Sequence, residues 1–200
     1  MTLSRPQITA LSTLVILPLC LSCESTAKQP DVPAVAVMDH AGLLAVSPAD
    51  IVIAPVQDLS AGAVAPAADL RRAFQRGLVS RRYSPLALEY VDAQLVNAAF
   101  VAGSLREEAI LEIRVMSWDM SLWDLHSAIS VAVEARLMDS ADPGGAPLWG
   151  ARFAKRINLS SERHSSPTQA LVMGRAADMV AADLLAVLPA RNPSPGDIRR

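Results

Sequence analysis

The chain has 200 residues, of which 52% are hydrophobic, 4% aromatic and 19% charged, with a net charge of −2, a pI near 5.9 and a mean hydropathy of +0.29. This slightly acidic balance lacks the basic footprint of a nucleic-acid binder. Both cysteines, Cys20 and Cys23, lie near the N-terminus, which excludes disulfide frameworks, zinc–cysteine sites and thiol catalysis for the rest of the chain.

Arg5 precedes an apolar run from Ile8 to Leu21, and Leu19-Cys20-Leu21-Ser22-Cys23 sets a small residue directly before a cysteine. The pattern predicts a bacterial export signal over residues 1–22 whose cleavage leaves Cys23 as a lipidated N-terminus. An ordinary secretory signal and a retained anchor are the competing readings, because Cys20 stands where lipoprotein signals usually carry Leu and Arg5 is the only basic group ahead of the run. At about 14 residues the run falls short of the roughly 20 that a spanning helix needs. The remaining chain suffices for one domain with one core.

Residues 23–47 are expected to form the lipidated N-terminus and a linker, polar and proline-containing from Glu24 to Pro33. Ala34 to Val46 reads either as an edge strand or as the apolar tail of that linker. The domain proper is expected over 48–189. Asp50 to Val56 is a continuous apolar run, the pattern of a central strand buried on both faces and ended by Pro55. After a loop from Ser60 to Ala65, Pro66 suits a first helical turn. Leu70, Ala73, Phe74, Gly77 and Leu78 then recur at helical spacing, predicting an amphipathic helix over 67–81. Ser84-Pro85 breaks it. Leu86 to Val91 reads as a second strand, and Asp92 to Phe100 as a short helix or turn capped by Asp92.

The clearest strand pair follows. Leu111, Ile113 and Val115 alternate with Glu112 and Arg114, and Ile129, Val131, Val133, Ala135 and Leu137 alternate with polar or small residues, as antiparallel strands with one wet face require. Asp142-Pro143-Gly144-Gly145 is a turn signal, and Leu148 to Ile157 returns as a third strand whose alternation falters after Phe153, predicting a bulge or an early end. Ser166-Pro167-Thr168-Gln169 forms a capping box ahead of a helix to about Leu188, with Met173, Ala177, Val180 and Leu184 on its apolar stripe. Pro189 stops it, and 190–200 reads as a disordered tail. The fold class is α/β: a two-layer sandwich in which a mixed β-sheet with an antiparallel portion is covered by helices on one face.

Four segments carry a resemblance: Ile51-Val52-Ile53-Ala54-Pro55, the run from Tyr83 to Asp92, the run from Ala109 to Trp118, and Val133 to Asp139 leading to Leu148-Trp149. In these the sequence resembles envelope lipoproteins whose domain is similar to the curli-secretion protein CsgG and the N-terminal domain of TolB, and it is close to the auxiliary lipoproteins of ABC-type transport systems. The resemblance implies a non-catalytic protein, lipid-anchored and facing the periplasm, that acts by protein contact in envelope assembly or secretion. An auxiliary transporter subunit is the alternative, and a periplasmic enzyme a more remote one. It further implies envelope or transporter proteins, or further copies of the chain in a homo-oligomer, as partners. Glu24 after the cysteine, by likeness to known lipoproteins, favours the outer membrane. The chain has no second apolar segment suited to the membrane hairpins of a secretion pore.

For a contact surface the segment from Trp118 to Ser127 stands out. Trp118, Met120 and Trp123 are costly to leave in water, and Trp is enriched where proteins meet; the competing reading folds both tryptophans back over the sheet to close the core. Arg71, Arg72 and Arg76 give the first helix a basic side suited to an acidic partner or anionic head groups, or simply to solvent. No cofactor and no metal is expected: Asp119, Asp124 and His126 match no ligand spacing. Ser165, Ser166 and His164 lack the sharp elbow of a nucleophile.

Overall fold

The computed structural model describes residues 34–40, 42–61, 64–97, 101–159 and 169–192. The expected signal peptide, Cys23, the linker up to Pro33, the capping box at 166–168 with His164 and Ser165, and positions 193–200 lie outside these residues.

The described strands are β1 (Val35–Asp39), β2 (Asp50–Ile53), β3 (Gln57–Asp58), β4 (Ser84–Pro85), β5 (Ala109–Asp119), β6 (Ala128–Asp139) and β7 (Trp149–Asn158). The helices are α1 (Leu43–Val46), α2 (Ala67–Ser80), α3 (Leu88–Asn97), α4 (Trp123–His126) and α5 (Gln169–Ala186). The strands form one mixed sheet in the order β1-β7-β6-β5-β2-β4, with β3 pairing β5 where β2 has ended. β1, β7, β6 and β5 are mutually antiparallel neighbours, while β2, β3 and β4 run parallel to theirs. This is the expected two-layer α/β sandwich.

The alternation read along β5 and β6 sorts their side chains as expected. Leu111, Ile113, Val115, Ile129, Val133 and Leu137 are fully buried and pack in one cluster with Leu70, Phe74 and Leu78 of α2 and Val172, Ala176, Val180 and Leu184 of α5. Each large aliphatic side chain so buried contributes about 1.5–3 kcal/mol relative to an exposed one. Gly77 lies against Leu185 of α5, whose Cδ1 would stand 2.3 Å from a Cβ there and would have to turn aside. On the opposite face Glu112, Arg114, Glu134 and Arg136 form ion pairs along their strands, Arg114 with Glu112 and Arg136 with Glu134. The cross-strand register sets Glu112 opposite Arg136 and Arg114 opposite Glu134, so neighbouring charges alternate in sign. Nearer β2 that face is apolar: Val52, Ile110 and Met138 lie in one register row and are buried.

Several expectations change at particular residues. Of the two readings of 34–46, the edge strand forms: β1 pairs antiparallel with β7, Val35 opposite Phe153. The sheet therefore begins ahead of the expected boundary at 48. Pro66 takes the N-cap position of α2 rather than its first turn, a one-residue difference of the kind helix ends commonly show.

The strand expected over Leu86 to Val91 is not formed. β4 ends at Pro85, and Leu88 opens α3. Leu88 and Val91 are buried and Leu95 half-buried, which is i, i+3, i+7 spacing, so the helical period was present behind the proline. Asp92 lies inside this helix and caps nothing.

The bulge expected after Phe153 is also absent, since β6 and β7 keep one register from Ala128–Asn158 to Leu137–Trp149. Lys155 breaks the pattern because it lies exposed on the same face as Phe153 and Ile157. At the C-terminal end, Ala190 to Asn192 follow the fold: the Arg191 amide donates to the Arg81 carbonyl at 2.9 Å, and Arg191 Nε to the Ser47 carbonyl.

Candidate functional site

The contact segment is organised by a bulge that the sequence pattern does not announce. The β5–β6 register shifts between Val115 and Ser117, so that Val115 faces Val133 and Trp118 faces Val131. Without the extra residue Trp118 would lie on the face opposite Val115. With it, Met116 turns outward and Trp118 turns into the core, where only 1% of its surface is exposed. Its indole N–H donates to Met173 Sδ on α5 at 3.3 Å. Trp118 is thus a core residue tying the sheet to α5, and its place in the expected contact surface is corrected.

Met120 and Trp123 are half-buried and pack against the core edge. Their flanks are open, with Leu125 78%, Leu59 58% and Met116 41% exposed. Leu59 is held beside the bulge, its amide donating to the Val115 carbonyl at 2.9 Å. Leu59 and Met116 escaped the sequence reading, because only the bulge and the β3–β5 pairing bring them to this end of the sheet, whereas Leu125 lies within the segment it singled out. A cavity of about 510 Å³ opens here, lined by Ser60 and Ala61 on one side and Met116 to Ser121 on the other.

One carboxylate lines the cavity and a second is bonded to Ser60 of its wall. Asp119 lies on its wall, fully exposed, and accepts from the Ser121 amide at 2.8 Å, which holds its pKa below the usual 3.8. Asp58 accepts from the Ser60 hydroxyl at 2.5 Å, the Ala65 amide at 3.0 Å and the Ser60 amide at 3.0 Å, and these bonds also lower its pKa. Because the Asp58 pKa falls on folding, its contribution is complete above the unfolded value of 3.8 and is lost as pH drops through the lower folded value. Asp58→Asn is expected to be less stable than wild type at pH 7, with the gap closing on acidification below pH 3.8; paired urea melts at several pH values check this. Asp124 and His126 stand exposed on α4, and among the described residues no three His, Cys, Asp or Glu gather to hold a metal ion.

The basic side of α2 divides. Arg71 is turned inward, its side chain 11% exposed, with one guanidinium nitrogen on Asp92 at 2.7 Å and another donating to the Ile53 carbonyl at 3.0 Å. It belongs to the fold, so its place in the expected surface is likewise corrected. Arg72 pairs with Asp69 one turn earlier, and Arg76 reaches Asp178 of α5. With Arg175 they border a groove between the two helices, where Arg72 and Arg76 each have an opposite neighbour.

The class so defined is a two-layer α/β domain, helices on one sheet face, with an apolar, carboxylate-flanked recess at one end of the sheet. No family model and no curated protein matches the sequence. Among solved structures the chain is similar to the PelC dodecamer from Paraburkholderia phytofirmans, at 14% identity over 75% of this chain and 97% of that one, with a TM-score of 0.45. It is also similar to the lipoprotein GNA1162 from Neisseria meningitidis, at 21% identity over 66% and 95% of the two chains, TM-score 0.47. The C-terminal domain of LpoB from Salmonella enterica matches at 10% identity over 61% and 87%, TM-score 0.40.

Proposed function

We propose that this chain is a non-catalytic protein, anchored to the outer membrane through acyl chains on Cys23 and facing the periplasm, that acts by protein contact in envelope assembly or secretion. The observation that carries this reading is the apolar run ending in Ser22-Cys23 placed twelve positions ahead of Val35, the first residue of an edge strand. Twelve positions of extended chain span at most about 40 Å, so the anchor would hold the domain near a bilayer while leaving its surfaces free to meet other proteins. The exposed apolar residues beside the β5–β6 connection give such contact a place.

The test is the mass and location of the protein in a Gram-negative host. The mature species is expected to begin at Cys23, to carry the mass of acyl chains and to sediment with outer membranes. Cys23→Ser is expected to abolish both the added mass and the sedimentation. An unacylated product that begins elsewhere and stays in the soluble fraction would overturn the reading.

A further inference from the structure

The recess beside the β5 bulge has a chemistry that selects its occupant. Its walls combine the outward Met116 thioether and the half-buried Met120 with the Asp119 carboxylate, and no lining residue is cationic. Asp58 adds a second negative charge directly behind the rim, bonded to Ser60 of the wall. Methionine side chains are flexible and polarizable, so they mould to apolar groups of varied shape. An aliphatic stem that ends in a cation satisfies both parts at once, lying along the thioethers while its head approaches the carboxylate. Leu59, which precedes Ser60 of the wall and is exposed, offers apolar contact to whatever flanks that stem. Anionic lipid head groups and nucleic-acid phosphates carry the wrong sign for this rim.

We infer that the recess is the docking point for a partner protein's segment that presents an arginine or lysine between apolar residues, the stem against Met116 and Met120 and the cation at Asp119. This rests on the contact reading above and specifies the chemistry of the contact. Charge complementarity of this kind governs encounter rate and partner choice more than affinity, so a short segment alone binds weakly.

The test uses the full-length acylated protein in detergent micelles, labelled with ¹³C at the methionine methyls and titrated with the capped peptide Leu-Arg-Leu-Lys-Leu. A charge-reversed control, Leu-Glu-Leu-Asp-Leu, is titrated in parallel. Saturable shifts of the Met116 and Met120 methyls with the basic peptide alone, weakened at least threefold by Asp58→Asn with Asp119→Asn, are expected. Asparagine keeps the oxygen that accepts from Ser121 at position 119 and one of the two acceptor oxygens at position 58, and unchanged signals from the other methionines certify that the variant is folded. Equal shifts with both peptides, no saturable shift, or shifts insensitive to the double variant would overturn the inference. So would shifts produced by phosphatidylglycerol vesicles without peptide, which would make the recess a membrane contact. The mass of Cys23 is read from the same sample, so a missing anchor and a missing docking site give separate results.

Discussion

Trp118→Ala is expected to destabilise the protein by about 3–5 kcal/mol, the range for emptying a large buried aromatic site. In a domain of this size that lowers the melting temperature by on the order of 10 °C. The side chain is nearly inaccessible, sits among the residues shared by the sheet and α5, and has its indole N–H directed at Met173. Alanine would remove the aromatic volume and the link to α5 together. Trp118→Phe keeps most of the volume and loses only the weak N–H to sulfur bond, so it should recover more than half of the loss. Trp123→Ala, at a half-buried site, should cost clearly less. Thermal and urea denaturation of the three variants provide the comparison, and equal effects at positions 118 and 123 would contradict the bulge that separates their environments.

Arg71→Ala should cost about 2–3 kcal/mol, because it leaves the Ile53 carbonyl without a donor in the interior and removes the buried stem. Arg71→Lys should recover little of this, since one ammonium cannot reproduce two separate guanidinium contacts, to Asp92 and to the Ile53 carbonyl. By contrast Arg72→Ala and Arg76→Ala remove exposed pairs and should each stay within about 1 kcal/mol of wild type. Urea melts of all four variants at one pH decide the matter. A uniform small effect would return Arg71 to the solvent face.

The parts of the fold that were legible in the sequence are those in which one period holds without interruption. Ile51, Val52 and Ile53 announced a strand buried on both faces, and the structure surrounds them so. Leu70, Phe74 and Leu78 announced the buried stripe of α2. What failed failed at changes of period. Pro85 drew attention to an extended segment and masked the helical spacing of Leu88, Val91 and Leu95 immediately after it. After Val115 the sequence of β5 no longer alternates, yet the strand does not stop there. It continues, through one extra residue that reverses every later side chain, and a bulge of this kind leaves no compositional mark because its cause is the pairing partner. Arg71 was illegible for a similar reason. Its helical position is intermediate between the apolar stripe and the solvent side, and only the placement of Asp92 and the Ile53 carbonyl turns it inward.

The candidate site was half legible. Met120 and Trp123 were found from their apolarity, whereas Leu59 arrives from a distant stretch of chain and owes its place to pairing with β5. Asp119 was weighed as a metal ligand and stands instead on the wall of a recess. Asp58 gave no sequence signal at all: its role depends on the three donors gathered around it.

The pairing of β1 with β7 has a consequence for the order in which the structure can assemble. β5 and β6 are joined by a short connection, from Asp119 to Ala128, and β7 follows β6 after a short loop, from Ser140 to Leu148, so these three strands can zip from local contacts. Val35, in contrast, waits for Phe153, more than a hundred residues later. In a chain that enters its compartment N-terminus first, the earliest strand to emerge is the last to find a neighbour, and until β7 arrives its apolar Val-Ala-Val-Met run is an open invitation to the wrong chain. The interval between those two events is when this protein most needs an escort.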